Sequence, residues 1–297
     1  MQERNLTIIE EQLKKESYLS EPDITMAIYL AQSLEKPLLI EGPAGVGKTE
    51  VAKVMAKLLH TELIRLQCYE GIDASQALYE WNYQQQLMYL KLQEIQQNAN
   101  VISEADLYAQ RFLLKRPILK SILSEKKSVL LIDEIDRADE EFESFLLEVL
   151  SDWQISIPEY GTLSAVTKPM VILTSNSTRE LSDALRRRCM YLYIDYPSYE
   201  KELAIVKAKV PGIQEKLVDQ ICRFMESVRQ QRLQKLPGVA ETLDWAMALA
   251  QLNIDHLDRD TVAASLGLVL KDWKDKREVE LSLSELLEKT GVKSKLE

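Results

Sequence analysis

Histidine and cysteine are scarce in this chain of 297 residues: two of the first, His60 and His256, and three of the second, Cys68, Cys189 and Cys222. No familiar zinc-ligand spacing can be assembled from them, and an odd number of distant cysteines argues against a disulfide framework. Glycine and proline number nine each, too few for collagen-like, linker or low-complexity chains. No apolar run approaches the roughly 20 residues that cross a bilayer. The opening MQERNLTIIEEQLKKE is charged throughout and lacks the apolar core of a signal peptide, so the expectation is a soluble, cytoplasmic protein. Positive charge is in deficit, 37 basic against 47 acidic residues for a net charge of −10, and such a field repels nucleic acid and anionic lipid. What is present is 46% hydrophobic residues, enough for a compact α/β domain with a smaller one beside it.

Apolar spacing organises the chain. Ile24, Ala27, Ile28 and Ala31 fall at helical intervals, and the run Pro37 to Ile40 suits a buried strand. After a glycine-rich loop, Val51, Val54, Met55, Leu58 and Leu59 form one helical stripe. Leu63 to Leu66 reads as a strand, and the stretch from about 75 to 126 reads as mostly helical, with a Gln-rich insertion over about 84–100. Ser128 to Ile132, Met170 to Leu173 and Tyr191 to Ile194 suit strands of a parallel sheet, and Gln154 to Val166, with Pro158 and Gly161, reads as a hairpin. Beyond Pro197 only helical stripes appear: Leu217, Val218, Ile221, Met225 and Val228, then Leu243, Ala246, Leu249 and Ala250. The expected fold is a P-loop three-layer αβα domain with a parallel sheet over 1–196, followed by an all-helical lid domain over 197–297, without internal repeats.

Two motifs carry chemistry. Gly42-Pro43-Ala44-Gly45-Val46-Gly47-Lys48-Thr49 fits G-x-x-x-x-G-K-[ST] at every specified position, between a predicted strand and an amphipathic helix. Its glycines let the backbone N–H groups converge on β- and γ-phosphates, Lys48 adds a positive charge, the Thr49 hydroxyl suits Mg²⁺, and Glu50 follows in the first helical turn. The second motif is the apolar strand Ser128 to Ile132 ending in Asp133 and Glu134. Successive residues at a strand end point in different directions, so one acid can face a metal and the other an attacking water.

With both motifs in place the chain resembles the AAA+ ATPases, and within them the MoxR-type chaperone-like group, most closely members associated with carbon monoxide dehydrogenase maturation. The resemblance spans nearly the whole chain, through KPLLIEGPAGVGKTEVAK, LIRLQCYEGIDASQALYEWNY, SVLLIDEIDRAD and VILTSNSTRELSDALRRRC. It implies ATP and Mg²⁺ as cofactors, a sensor residue at Asn176, and an arginine finger at Arg188, with Arg187 in reserve, reaching a neighbouring subunit. Tyr18 and Leu19 match the segment lying against adenine in related proteins. One position departs from the group: Glu241 stands where a lid arginine that contacts the nucleotide is expected.

The expected function is an ATP hydrolase that assembles as a homo-oligomeric ring, a hexamer, and remodels a protein client. Resemblance further implies a partner with a von Willebrand factor A domain and a metalloenzyme client. Two rivals come from other classes. A nucleic-acid motor is opposed by the acidic balance, and a nucleotide-gated module without turnover is opposed by the presence of Glu134 together with Arg188.

Overall fold

The computed structural model describes residues 2–95 and 104–290. Nine strands occur among them: β1 Leu38–Glu41, β2 Leu63–Gln67, β3 Tyr79–Trp81, β4 Leu113–Lys115, β5 Val129–Asp133, β6 Gln154–Ile157, β7 Gly161–Ser164, β8 Met170–Ser175 and β9 Met190–Tyr193. Five of them form one parallel sheet in the order β2-β5-β8-β1-β9.

Burial explains that order. Every residue of β1, β5 and β8 is buried, the apolar runs and the polar residues that end them alike, and these are the three inner strands. The edge strands β2 and β9 alternate instead, exposing Arg65 and Gln67 on one and Tyr191 and Tyr193 on the other. The register aligns Gln67 with Asp133 and Glu41 with both Ser175 and Tyr193. The carboxyl ends of the strands therefore share one edge, where open α/β sheets bind their ligands. Helices Pro22–Ser33 and Pro117–Ile122 cover the sheet, the first on β1 and β9 and the second on β2 and β5.

The chain divides into two compact units. The first is Met1–Leu6, Pro22–Glu41 and Thr49–Tyr193; the second is Thr7–Glu21, Gly42–Lys48 and Ile194–Glu297. The second unit is helical among its described residues, with Glu215–Arg229 burying Leu217, Val218, Ile221, Met225 and Val228, and Val239–Gln251 burying Trp245, Ala246 and Leu249.

The stretch read as mostly helical contains an antiparallel ribbon, β3 paired with β4, beside the helix Tyr83–Ile95. Three-residue strands are too short to show a period, but their composition is informative. Trp81 is buried and meets Tyr108 edge-on at 5.1 Å, with Tyr79 at 6.4 Å, and aromatic residues favour the pleated surface. Of the expected Gln-rich insertion, residues 96–100 lie outside the described residues, as do 291–297 of the expected lid domain.

An ion pair organises the second unit. Arg229 donates to both carboxylate oxygens of Glu202, at 2.7 and 2.6 Å, and to the Pro237 carbonyl at 2.8 Å. The Thr242 hydroxyl donates to Glu202 at 2.6 Å. Both charged side chains are buried, Glu202 to 1% and Arg229 to 9% exposure, so removing one strands the other away from water. Arg229→Leu should lower unfolding stability by about 3–5 kcal/mol, read as a reduced urea midpoint, whereas substitution of the exposed Lys289–Glu285 pair should change it by less than about 1 kcal/mol.

Candidate nucleotide-binding site

The loop Gly42–Lys48 leaves β1, and its glycines are required by position. A Cβ on Gly42 would stand 2.0 Å from the Ile194 carbonyl oxygen, so only hydrogen fits there. Gly45 and Gly47 take φ of +78° and +98°, the left-handed region that favours glycine. Lys48 is 7% exposed and donates to the Gly42 and Pro43 carbonyls at 2.8 and 2.6 Å. A buried ammonium needs acceptors, and here it finds them on its own loop.

The helix Lys48–Leu58 continues with Thr49 and Glu50, the latter paired with Lys53 at 3.3 Å. The Thr49 hydroxyl donates to Asp133 Oδ1 at 3.1 Å. Asp133 ends β5 and is 3% exposed. Its Oδ1 also accepts from the Thr174 hydroxyl at 2.5 Å, and its Oδ2 from the Arg65 guanidinium at 2.5 Å. The same Thr174 oxygen accepts from the backbone N–H of Glu134 at 3.0 Å. One hydroxyl on β8 thus holds both the Asp133 carboxylate and the backbone of Glu134 just after it.

Glu134 takes the left-handed conformation, φ 56° and ψ 49°, a rare state for a residue with a long side chain. The turn redirects the chain immediately after Asp133, so the two carboxylates diverge. Glu134 Oε2 meets Arg137 Nε at 2.7 Å, with both side chains partly exposed.

Asn176 directly follows β8 in a turn where Ser177 has φ of 57°. Asp136 is buried and holds this turn by accepting from the Thr178 N–H at 3.0 Å and its hydroxyl at 2.6 Å. Burial pushes the Asp136 carboxyl upward, but hydrogen bonds from Thr178 and from the Asn176 N–H outweigh it, and its pKa lies below the ordinary value.

The three arginines sit on the short helix Asp183–Arg188. Arg186 reaches the buried Glu41 carboxylate at 3.1 Å. Arg188 is drawn back, donating to Ser151 Oγ at 2.5 Å and to the Ala184 carbonyl at 3.0 Å. Arg187 is exposed. Tyr18 and Leu19 are half-buried just past the helix Gln2–Lys15, whose end is closed by Tyr18 N–H donating to the Leu13 carbonyl at 2.9 Å. Their residues and the loop Gly42–Lys48 belong to the same unit.

A hydroxyl and a carboxylate side by side are hard oxygen donors of the kind Mg²⁺ takes when phosphates and water complete its shell. Thr49 and Asp133 fit that donor set. Among the described residues no cluster of three or more His, Cys, Asp or Glu forms an all-protein cage. Burial pushes the thiols of Cys68, Cys189 and Cys222 up to about 12, so each rests protonated at neutral pH.

The family model for the AAA domain (dynein-related subfamily) matches residues 37–189, just over half of the chain. The chain belongs to the AAA family. Its match begins at the strand before the phosphate loop and ends after the three arginines. An uncharacterised protein of Staphylococcus aureus (strain bovine RF122 / ET3-1) is 27% identical over 203 residues, 66% of this chain and 69% of that one. The gas vesicle ATPase GvpN of Haloferax mediterranei is 25% identical over 233 residues, 75% of this chain and 64% of its own. Among solved structures, the Thermotoga maritima RuvB Holliday junction branch migration motor has a TM-score of 0.46 at 18% identity, covering 96% of this chain and 82% of that one. No helix among the described residues is long and apolar enough to cross a membrane.

Sequence reading alone passed over Arg65, Thr174, Asp136 and Thr178. Thr174 stands in the sequence as the hydroxyl ending the run Met-Val-Ile-Leu and Arg65 as the charge within Leu63–Gln67, but neither marks itself there as a partner of Asp133.

Thr174→Val keeps the shape of the strand but strips one donor from a buried carboxylate and the acceptor from Glu134 N–H. It should cost about 1–3 kcal/mol, read as a lowered Tm. The Asp136 contribution should be complete above the ordinary carboxyl pKa of 3.8 and should vanish as pH falls through the lower folded value. Asp136→Asn should therefore flatten the loss of stability in that acid range, checked by urea titrations at successive pH values.

Proposed function

We propose that the chain is a Mg²⁺-dependent ATP hydrolase that assembles with copies of itself into a ring, a hexamer, and remodels a protein client. The observation that carries this reading is the Asp133 node, where the first hydroxyl after the phosphate loop, a hydroxyl from β8 and the metal-facing acid are joined, with Glu134 turned away from it. Supporting it are membership of the AAA family and likeness to a protein named as an ATPase.

In this reading residues 1–196 form the nucleotide-binding domain and 197–297 the lid. Backbone N–H groups from Gly42 to Thr49 hold the phosphates, and Lys48 exchanges the Gly42 and Pro43 carbonyls for β- and γ-oxygens. Thr49 and Asp133 would hold Mg²⁺, which would supply positive charge beside the phosphates. Glu134 releases Arg137, accepts a proton from the attacking water and orients it, while Asn176 positions that water from the end of β8. Tyr18 and Leu19 lie against adenine.

A guanidinium offered to a neighbouring copy must reach solvent. Arg187 meets that condition as it stands, and Arg188, the better match to the family position, meets it after leaving Ser151. Either stabilises charge on the transferring phosphoryl group, and supplying it in trans makes turnover depend on assembly. A protein client, including a metalloenzyme with a von Willebrand factor A domain partner, rests on the sequence resemblance. The net charge of −10 favours a protein over a nucleic-acid substrate.

Steady-state phosphate release tests the reading. Lys48→Ala should lose nucleotide binding, and Glu134→Gln should retain ATP while turnover falls about 100-fold or more. Of Arg187→Ala and Arg188→Ala, the one that removes the finger should lower turnover about 1,000-fold with ATP affinity kept. Wild-type turnover in Glu134→Gln would refute the assignment of the base.

A further inference from the structure

Within the second unit, the helix Val239–Gln251 starts against the phosphate loop. A Cβ on Gly238, the residue before that helix, would stand 2.7 Å from the Gly45 carbonyl carbon and 2.8 Å from the Ala44 oxygen. The Ala240 N–H donates to the Gly45 carbonyl at 3.1 Å. From the other side, a Cβ on Gly45 would meet Glu241 Oε2 at 2.9 Å and Gly238 Cα at 3.2 Å. Helix and loop touch through backbone, and the side chain that reaches Gly45 is an acid.

That acid is fixed in place. Its Oε2 accepts from the Gly238 N–H at 2.9 Å, the acid half of a helix-capping arrangement. The segment behind it is anchored by the buried Arg229, which donates to the Pro237 carbonyl and to the Thr242 hydroxyl. Glu241 is itself only partly exposed, so solvent screens its charge less than that of a surface carboxylate.

We infer that Glu241 is a specificity-determining residue, a fixed negative charge against the phosphate loop that weakens the hold on a nucleoside triphosphate more than on a diphosphate. The inference rests on the nucleotide reading of Gly42–Thr49. Repulsion scales with ligand charge, and a triphosphate carries about one more negative charge than a diphosphate. A cation at this position would favour the triphosphate; the acid shifts the preference toward the product and lowers the occupancy of the ATP state.

The test is equilibrium titration of the full chain with a ribose-labelled fluorescent ADP and the corresponding non-hydrolysable ATP analogue, both with Mg²⁺. Glu241→Gln keeps the size of the side chain and an oxygen to accept from Gly238 N–H, while removing the charge. It should tighten the triphosphate about three- to ten-fold more than the diphosphate, and that difference should shrink as salt is raised. Glu241→Asp, which retains the charge, should keep the wild-type ratio, and thermal melts identify any variant that fails to fold. Glu241→Ala, which loses cap and charge together, should shift the ratio in the same direction as Gln. If wild type binds both nucleotides and neither neutral variant moves the ratio toward the triphosphate, Glu241 is a helix cap alone and the inference falls. If wild type binds neither nucleotide, the nucleotide reading itself is overturned.

Discussion

A buried carboxylate must have its oxygens occupied, and at Asp133 this single requirement arranges much of the molecule. Its donors come from three separate elements: Thr49 from the helix after the phosphate loop, Thr174 from β8, and Arg65 from β2. A carboxylate at 3% exposure with no partners would carry a large desolvation cost. The three donors therefore act as a lock on the order of strands, since β5 must lie between β2 and β8 for all of them to reach it.

The same node explains why Glu134 differs from its neighbour. Its backbone N–H is committed to Thr174 and its φ is positive, so its side chain leaves the sheet at a different angle and is partly exposed. Strained backbone of this kind persists only when surrounding contacts over-determine it. Here the ladder to β8 and the pairing with Arg137 do so. A neighbouring turn is held in the same fashion, with Asp136 fixing Thr178 and the turn that carries Asn176. Of the three acids here, Asp133 is buried at the end of β5, Glu134 turns outward to Arg137, and Asp136, two residues on, holds the neighbouring turn.

Much of this was legible in the residues. The strands β1, β5 and β8 announce themselves as unbroken apolar runs because they are buried on both faces, and the phosphate loop has a spacing that few other structures require. The stripe on Glu215–Arg229 was equally plain, since one face of that helix supplies the core of the second unit. What sequence could not reveal were partners fixed by tertiary pairing. Arg65 is 68 residues from Asp133 and Thr174 is 41 away, and nothing local marks either as its donor. The ribbon of β3 and β4 escaped because three residues give no period, and its stability comes from Trp81 packing rather than from pattern. Arg188 matched a family position, yet only the structure shows it folded back on Ser151 while Arg187 stays exposed.

The central claim is that Asp133 and Thr49 make a metal-assisted grip on a triphosphate. Its most direct test is isothermal titration of the wild-type chain and of Asp133→Asn with a non-hydrolysable ATP analogue, each in Mg²⁺ and in EDTA. The account predicts binding by wild type that weakens about ten-fold or more when the metal is chelated, and a variant whose weaker binding no longer responds to Mg²⁺. Equal affinity in all four titrations, or no binding by wild type in Mg²⁺, would contradict it.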